Sequence, residues 1–260
     1  MRRGLGLVGL LLSLLAAGCA ISPNSTVSEF AASSGSNSFD VFQRDISEDA
    51  LVLPVVHDAQ TSGPSCGAHV LASVVNYWRG PDTLSGDALF AAQPPAHPMG
   101  YSIAEIMQLA GENGLVTSAV RLNADEVIRE LERGRPVMLP IRLPSIYVQQ
   151  RVLPGDDAPI VGVVRNSLIY RAGRVSEFTN LAMVDHYVLA VGYDEDQFVV
   201  IEPVMGYRTI SAATLARYRQ AFGDAAVVFS AQPEAAPEAS TRGLAPFSVA
   251  AALLLAEARG

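Results

Sequence analysis

Lysine is absent from this chain, and all 18 of its basic residues are arginine. That reflects coding composition and carries no function. Other scarcities exclude more. Only 17% of the 260 residues are charged while half are hydrophobic, which rules out a disordered chain. Two cysteines and no glycine period rule out a disulfide scaffold and a collagen-like rod. The basic residues are outnumbered by 26 acidic ones, for a net charge of −8, so a nucleic-acid partner is not expected. What remains is a globular chain long enough for one domain, or at most two, with a substantial core.

The N-terminus reads as an address. Met1-Arg2-Arg3 precedes an apolar run from Gly4 to Leu15, which is too short to cross a bilayer as a helix but suits a signal peptide. Leu15-Ala16-Ala17-Gly18-Cys19 resembles a bacterial lipobox, although Ala16 stands where leucine is commonest. The resemblance implies cleavage after residue 18 and a lipid on Cys19, which would anchor the protein to a membrane. Ala20 is not the aspartate that favours inner-membrane retention, so the outer membrane of the cell envelope is the implied location. Residues 1–18 are thus expected to be a signal peptide and 19–48 a flexible tether. Cleavage would remove Arg2 and Arg3, leaving 16 basic against 26 acidic residues, a net of −10.

Periodicity organises the rest into an expected domain over 49–230, followed by a linker and an apolar C-terminal helix over 231–260. Helical spacing runs from Cys66 to Trp78. Ser102/Glu105 and Asn123/Glu126 are capping boxes opening two further helices. Pro136–Ile141, His186–Tyr193, Gln197–Glu202 and Ala225–Ser230 read as strands, with a helix over Ser211–Phe222 between the last two. Helices first and antiparallel strands later indicate an α+β fold. Residues 143–181 form a long insertion, expected to hold a small hairpin or a lid.

With Cys19 acylated, Cys66 would be a lone thiol in an oxidising compartment, either buried and inert or kept for its chemistry. It follows a Gly/Pro-broken loop, Gln60-Thr-Ser-Gly-Pro-Ser65, and opens a helix whose N-terminal N–H groups favour a thiolate. Gln60 could join the Cys66 N–H in an oxyanion hole. Four histidines could serve as base. His69 is on the same helix but poorly oriented, while His57 and His97 read as solvated. His186 opens an apolar strand, where a buried imidazole needs a partner. A three-residue turn, Asp194-Glu195-Asp196, would set Val188 opposite Glu202 and make Glu202 a diagonal neighbour of His186. A two-residue turn would put the two on opposite faces. Asp185 points away from His186, and Asp194 reads as a solvated turn residue. The histidines and cysteine show no metal-ligand spacing, so no cofactor is expected.

Taken together, Gln60, Cys66-Gly67-Ala68, Gly134-Arg-Pro-Val-Met-Leu139, Asp185-His-Tyr-Val-Leu-Ala-Val-Gly-Tyr193 and Glu202-Pro203 resemble the C39-like peptidases over about residues 53–205. These are papain-like cysteine peptidases related to the processing domains of bacteriocin exporters. The resemblance implies Cys66 as nucleophile, His186 as general base and acid, Glu202 as the residue orienting His186, and Gln60 as the oxyanion residue. Glu202 stands where the family usually has Asp, and His69 where it usually has a small residue. The function implied is that of a lipid-anchored envelope cysteine peptidase acting on a peptide or protein substrate. Transpeptidase and amidase chemistry remain open. So does a silent C39-like module that binds peptides or an envelope partner.

Overall fold

A computed structural model describes residues 25–32, 41–61, 63–148 and 159–231. In chain order the helices are α1 (Val27–Ala32), α2 (Cys66–Arg79), α3 (Gly86–Ala92), α4 (Ile103–Glu112), α5 (Ala124–Glu132), α6 (Ser145–Val148), α7 (Pro159–Thr179) and α8 (Ala212–Arg219), the last extended by a 3-10 turn over Gln220–Phe222. The strands are β1 (Leu51–Val52), β2 (Leu115–Arg121), β3 (Val137–Pro144), β4 (Met183–Asp194), β5 (Gln197–Glu202), β6 (Gly206–Ser211) and β7 (Ala225–Ala231). The fold is α+β: among the described residues one seven-stranded sheet runs β2-β7-β3-β4-β5-β6, with β1 beside β4. All of its pairings are antiparallel.

Helix α2 forms the centre of the core. Its residues from Cys66 to Val75 are all buried, so the alternation of an amphipathic surface helix is lost and the element packs on several sides. It lies against β4 and helices α3 and α4. Helices α4 and α5 open with the expected capping boxes, Ser102 with Glu105 and Asn123 with Glu126, each satisfying two otherwise unpaired backbone N–H groups. Strands β3 and β4 carry near-continuous apolar runs and are buried along most of their length. The β3–β4 register sets Ile141 opposite His186 and Arg142 opposite Asp185.

The β4–β5 hairpin reaches the expected pairing by another route. The turn has two residues, since Asp194 pairs with Gln197. Alone, that would put His186 and Glu202 on opposite faces. A bulge between Ala190 and Gly192 shifts the register back, and Ala190 pairs with Val200 and Leu189 with Ile201. Continued by one position, this sets Val188 opposite Glu202. The bulge has local support: Leu53 N–H donates to the carbonyl of bulged Val191 at 2.7 Å. At Gly192 the backbone runs so close to β1 that a Cβ would collide with the Leu51 carbonyl oxygen. Gly192→Ala is therefore expected to cost about 1–3 kcal/mol through overpacking, seen as a lower urea midpoint at unchanged slope.

Several expectations change. Among the described residues, 143–181 hold no hairpin; they complete β3 and then form α6 and the 21-residue helix α7. Residues 25–32, assigned by composition to a flexible tether, form α1 and dock on the domain, with Phe30 buried and stacked on Tyr207 at 5.5 Å between ring centroids. Asp194 is not a solvated turn residue. It is buried and accepts from the Ser47 amide at 2.7 Å and hydroxyl at 2.6 Å. Strands β1, β2 and β6 and helix α3 complete the fold without having been expected. The signal peptide, Cys19 and the linker and helix beyond residue 231 lie outside the described residues.

Candidate active site

Cys66 sits at the first position of α2, and His186 lies near the start of β4. The thiol is hydrogen-bonded by the His186 side chain and by the backbone N–H groups of Tyr187 and Gly67. Burial pushes the Cys66 thiol up, yet His186 and the two N–H groups outweigh it and hold the thiol below its ordinary range. His186 responds in the opposite sense. Burial would lower it, but the Cys66 thiolate and Glu202 raise it to about 10. Two shifts of opposite sign on adjacent groups describe a thiolate–imidazolium pair.

Glu202 closes the arrangement from the end of β5. It is fully buried, and its Oε1 accepts from His186 Nε2 at 2.6 Å. With Nε2 committed there, Nδ1 is the ring nitrogen left to face Cys66. The second oxygen, Oε2, accepts from the backbone N–H groups of Val204 at 2.9 Å and Met205 at 2.6 Å. The side chain one methylene longer than aspartate is thus fixed at both oxygens. A buried carboxylate with three such donors is compensated for its lost hydration.

The structure brings Cys66, His186 and Glu202 together, as expected. Gln60 is nearby through its backbone, its N–H donating to the Pro203 carbonyl at 2.8 Å. Its side chain is turned elsewhere: Nε2 donates to the Gly63 carbonyl at 2.7 Å, and Oε1 is buried without a partner among the described residues. One of its two amide hydrogens is therefore committed within its own loop.

The other histidines separate clearly. His97 is exposed, as expected, on the rim of the cleft. His57, expected to be solvated, is fully buried and bonded to the Pro203 carbonyl at 2.8 Å. His69 is also buried; its Nδ1 meets Asp58 Oδ1, and Asp87 lies 3.4 Å from its Nε2. That pairing ties α2 to the segment before it, and it takes His69 away from the thiol. Asp185 is spent on a bidentate pair with Arg142 at 2.6 and 2.9 Å.

Cys66 and His186 open onto a cleft of about 780 Å³. Met99, Ile103, Met183 and Phe222 form apolar parts of its wall, while His97 and Arg142 add polar ones. Two tyrosines missed in the sequence also line it. Tyr187 hydroxyl donates to the Tyr101 carbonyl at 3.0 Å, which ties β4 to the loop before α4. The position of Tyr187, directly after His186, was the available signal. Among the described residues no group of three or more His, Cys, Asp or Glu could hold a metal ion, and no helix is long and apolar enough to cross a membrane.

No protein-family model matches the chain. No curated protein matches it in sequence. Solved structures do show similar folds. A protein from Bacillus anthracis described as a C39-like peptidase aligns at 13% identity and a TM-score of 0.46, covering 72% of this chain and all of the other. The peptidase domain of Streptococcus ComA, a bifunctional ABC transporter of a quorum-sensing pathway, aligns at 14% and 0.45 over 68% of this chain and 98% of its own. A double-glycine-motif protease from an AMS/PCAT transporter, solved with a leader peptide, aligns at 12% and 0.43 over 72% and 97%. At this distance the likeness concerns fold only, and chemistry has to come from the side chains.

Proposed function

We propose that the protein is a cysteine peptidase in which the Cys66 thiolate attacks a peptide carbonyl and His186 carries the proton to the leaving amine. The observation that supports this most is the imidazole of His186, engaged by the Cys66 thiol on one side and by buried Glu202 on the other. Attack gives a tetrahedral oxyanion, for which the Cys66 N–H at the helix N-terminus is a donor. Collapse expels the amine, which takes its proton from His186, and leaves an acyl-enzyme. Water, deprotonated by His186, then releases the acid and restores the thiol. Gln60 adds a second oxyanion donor if its amide leaves Gly63. With the amide held on Gly63, the same fold suits a silent peptide-binding module.

The lipobox-like segment adds a second part to the proposal. Cys19 carries a lipid and holds the domain at the envelope membrane, where its substrate is a peptide or protein. Radiolabelled palmitate incorporated by the wild-type chain and not by Cys19→Ser supports the anchor.

The chemistry is tested on the thiol. Cys66 alkylation in the full chain, followed by peptide mass so that Cys19 is scored apart, is expected to have its midpoint below the ordinary thiol value of about 8.5. The sign follows from the lowered thiol, which is ionised at pH values where a free cysteine is still protonated. A midpoint at or above 8.5 would leave the silent module as the better reading.

A further inference from the structure

The turn that fixes Glu202 is itself held from outside. His57 is fully buried, and its Nε2–H donates to the Pro203 carbonyl at 2.8 Å. The same carbonyl accepts the Gln60 N–H at 2.8 Å. Pro203 is followed by Val204 and Met205, whose N–H groups hold Glu202 Oε2. Glu202 and the buried histidine therefore grip one three-residue turn from two sides.

The Pro203 carbonyl sets which nitrogen of His57 carries the proton, and the N-terminal segment meets the other. A carbonyl only accepts, so Nε2 must be the protonated nitrogen, and Nδ1 is left as an acceptor. Ser25 Oγ lies 3.3 Å from Nδ1 and supplies that donor. Ser25 is held in turn: its carbonyl accepts the His57 N–H at 3.2 Å, and its Oγ accepts the Tyr207 N–H at 3.4 Å. Gly206, at φ 78, packs so closely here that a Cβ would collide with Ser25 Oγ. Burial keeps the His57 imidazole below its ordinary pKa, against the Pro203 carbonyl, Glu202 and Asp58, so it stays neutral.

We propose that His57 is a positioning residue for Glu202, acting through the Pro203 carbonyl, with Ser25 of the N-terminal segment holding its other ring nitrogen. His57 touches neither substrate nor thiol. It holds the turn, the turn holds the carboxylate, and the carboxylate holds His186 as an imidazolium beside Cys66. The inference rests on the peptidase reading and deepens it, because it makes residues before the expected domain boundary part of the site's support.

The test is the pH profile of Cys66 alkylation in the full chain, since burial alone does not set it. His57→Leu removes the donor and is expected to move the midpoint up by about one pH unit, so that labelling at a fixed acidic pH slows about tenfold. His57→Gln places an amide N–H at similar reach and is expected to keep the wild-type profile within about twofold. Near-UV dichroism confirms that each variant is folded at the assay temperature. His97, Tyr101, Arg142, Asp185 and Tyr187, the other titratable groups lining the cleft, are unchanged throughout.

An unshifted profile in folded His57→Leu overturns the proposal. So does a His57→Gln profile shifted as far as that of His57→Leu, since packing would then be the cause. If His57→Leu does not fold, Ser25→Ala decides: a smaller shift in the same direction, about threefold in rate, supports the proposal, and no shift overturns it. An ordinary thiol profile in the wild type is distinguishable from all of these, because it removes the peptidase reading itself.

Discussion

His186→Ala is expected to lower kcat/KM for peptide hydrolysis by roughly ten-thousand-fold, the scale on which such dependent groups act. The substrate would be whichever member of a randomised peptide library the wild type cleaves. Losing the imidazole removes the proton carrier. It also removes the charge that holds Cys66 ionised, since burial then acts on the thiol unopposed. The alkylation midpoint should therefore rise to the ordinary thiol value of about 8.5 or above. The labelling rate at pH 6 should fall less than the thiolate fraction does, because a more basic thiolate is the better nucleophile. The midpoint is thus the sharper readout. Wild-type hydrolysis should rise as pH climbs past the lowered Cys66 value and decline as it passes the raised His186 value near 10. A His186→Ala protein that hydrolyses at even a tenth of the wild-type rate would contradict the assignment.

The second large effect is expected from Glu202→Asp, a change that keeps the charge. The Glu202 carboxylate meets His186 at 2.6 Å while its other oxygen meets two turn amides at 2.6 and 2.9 Å. A side chain one methylene shorter cannot reach both without moving the turn. That turn is fixed through the Pro203 carbonyl by His57 and the Gln60 N–H. The imidazole then loses its alignment, and a displacement of about 1 Å can cost on the order of 100-fold in rate. KM should change little, because Glu202 is buried behind His186 and does not line the cleft. A Glu202→Asp variant with wild-type kcat would show that the turn relaxes freely and that carboxylate length is immaterial here.

The triad could be read before the fold because its chemistry is local. A cysteine opening a helix, a histidine opening an apolar strand and an acid across a hairpin each carry a short-range signal. The geometry behind them was less legible. The hairpin turn was expected to be one residue longer, and the bulge at Val191, supported by Leu53 from elsewhere in the chain, restored the same pairing. Such compensation is invisible to a period count. Helix α7 escaped because its apolar residues do not mark a buried face: Val164, Leu168, Val175 and Phe178 are exposed. Strand β2 is a largely exposed edge paired, among the described residues, only with β7, so it lacks the in–out alternation that betrays a strand. His57, beside Asp58 in sequence, looked like a surface residue; the carbonyl that buries it is 146 positions away.

The docking of Ser25–Ala32 bears on where this protein could work. A lipid on Cys19 would precede Ser25 by only six residues, a leash that spans about 20 Å when fully stretched. The domain would then ride close over the headgroups, with the face on which Ser25 docks turned toward the bilayer. Peptide bonds near the membrane surface would be within reach, and those held farther out by a thick assembly would not. Lengthening the chain between Cys19 and Ser25 with a flexible Gly/Ser insert should extend that working distance without altering the triad.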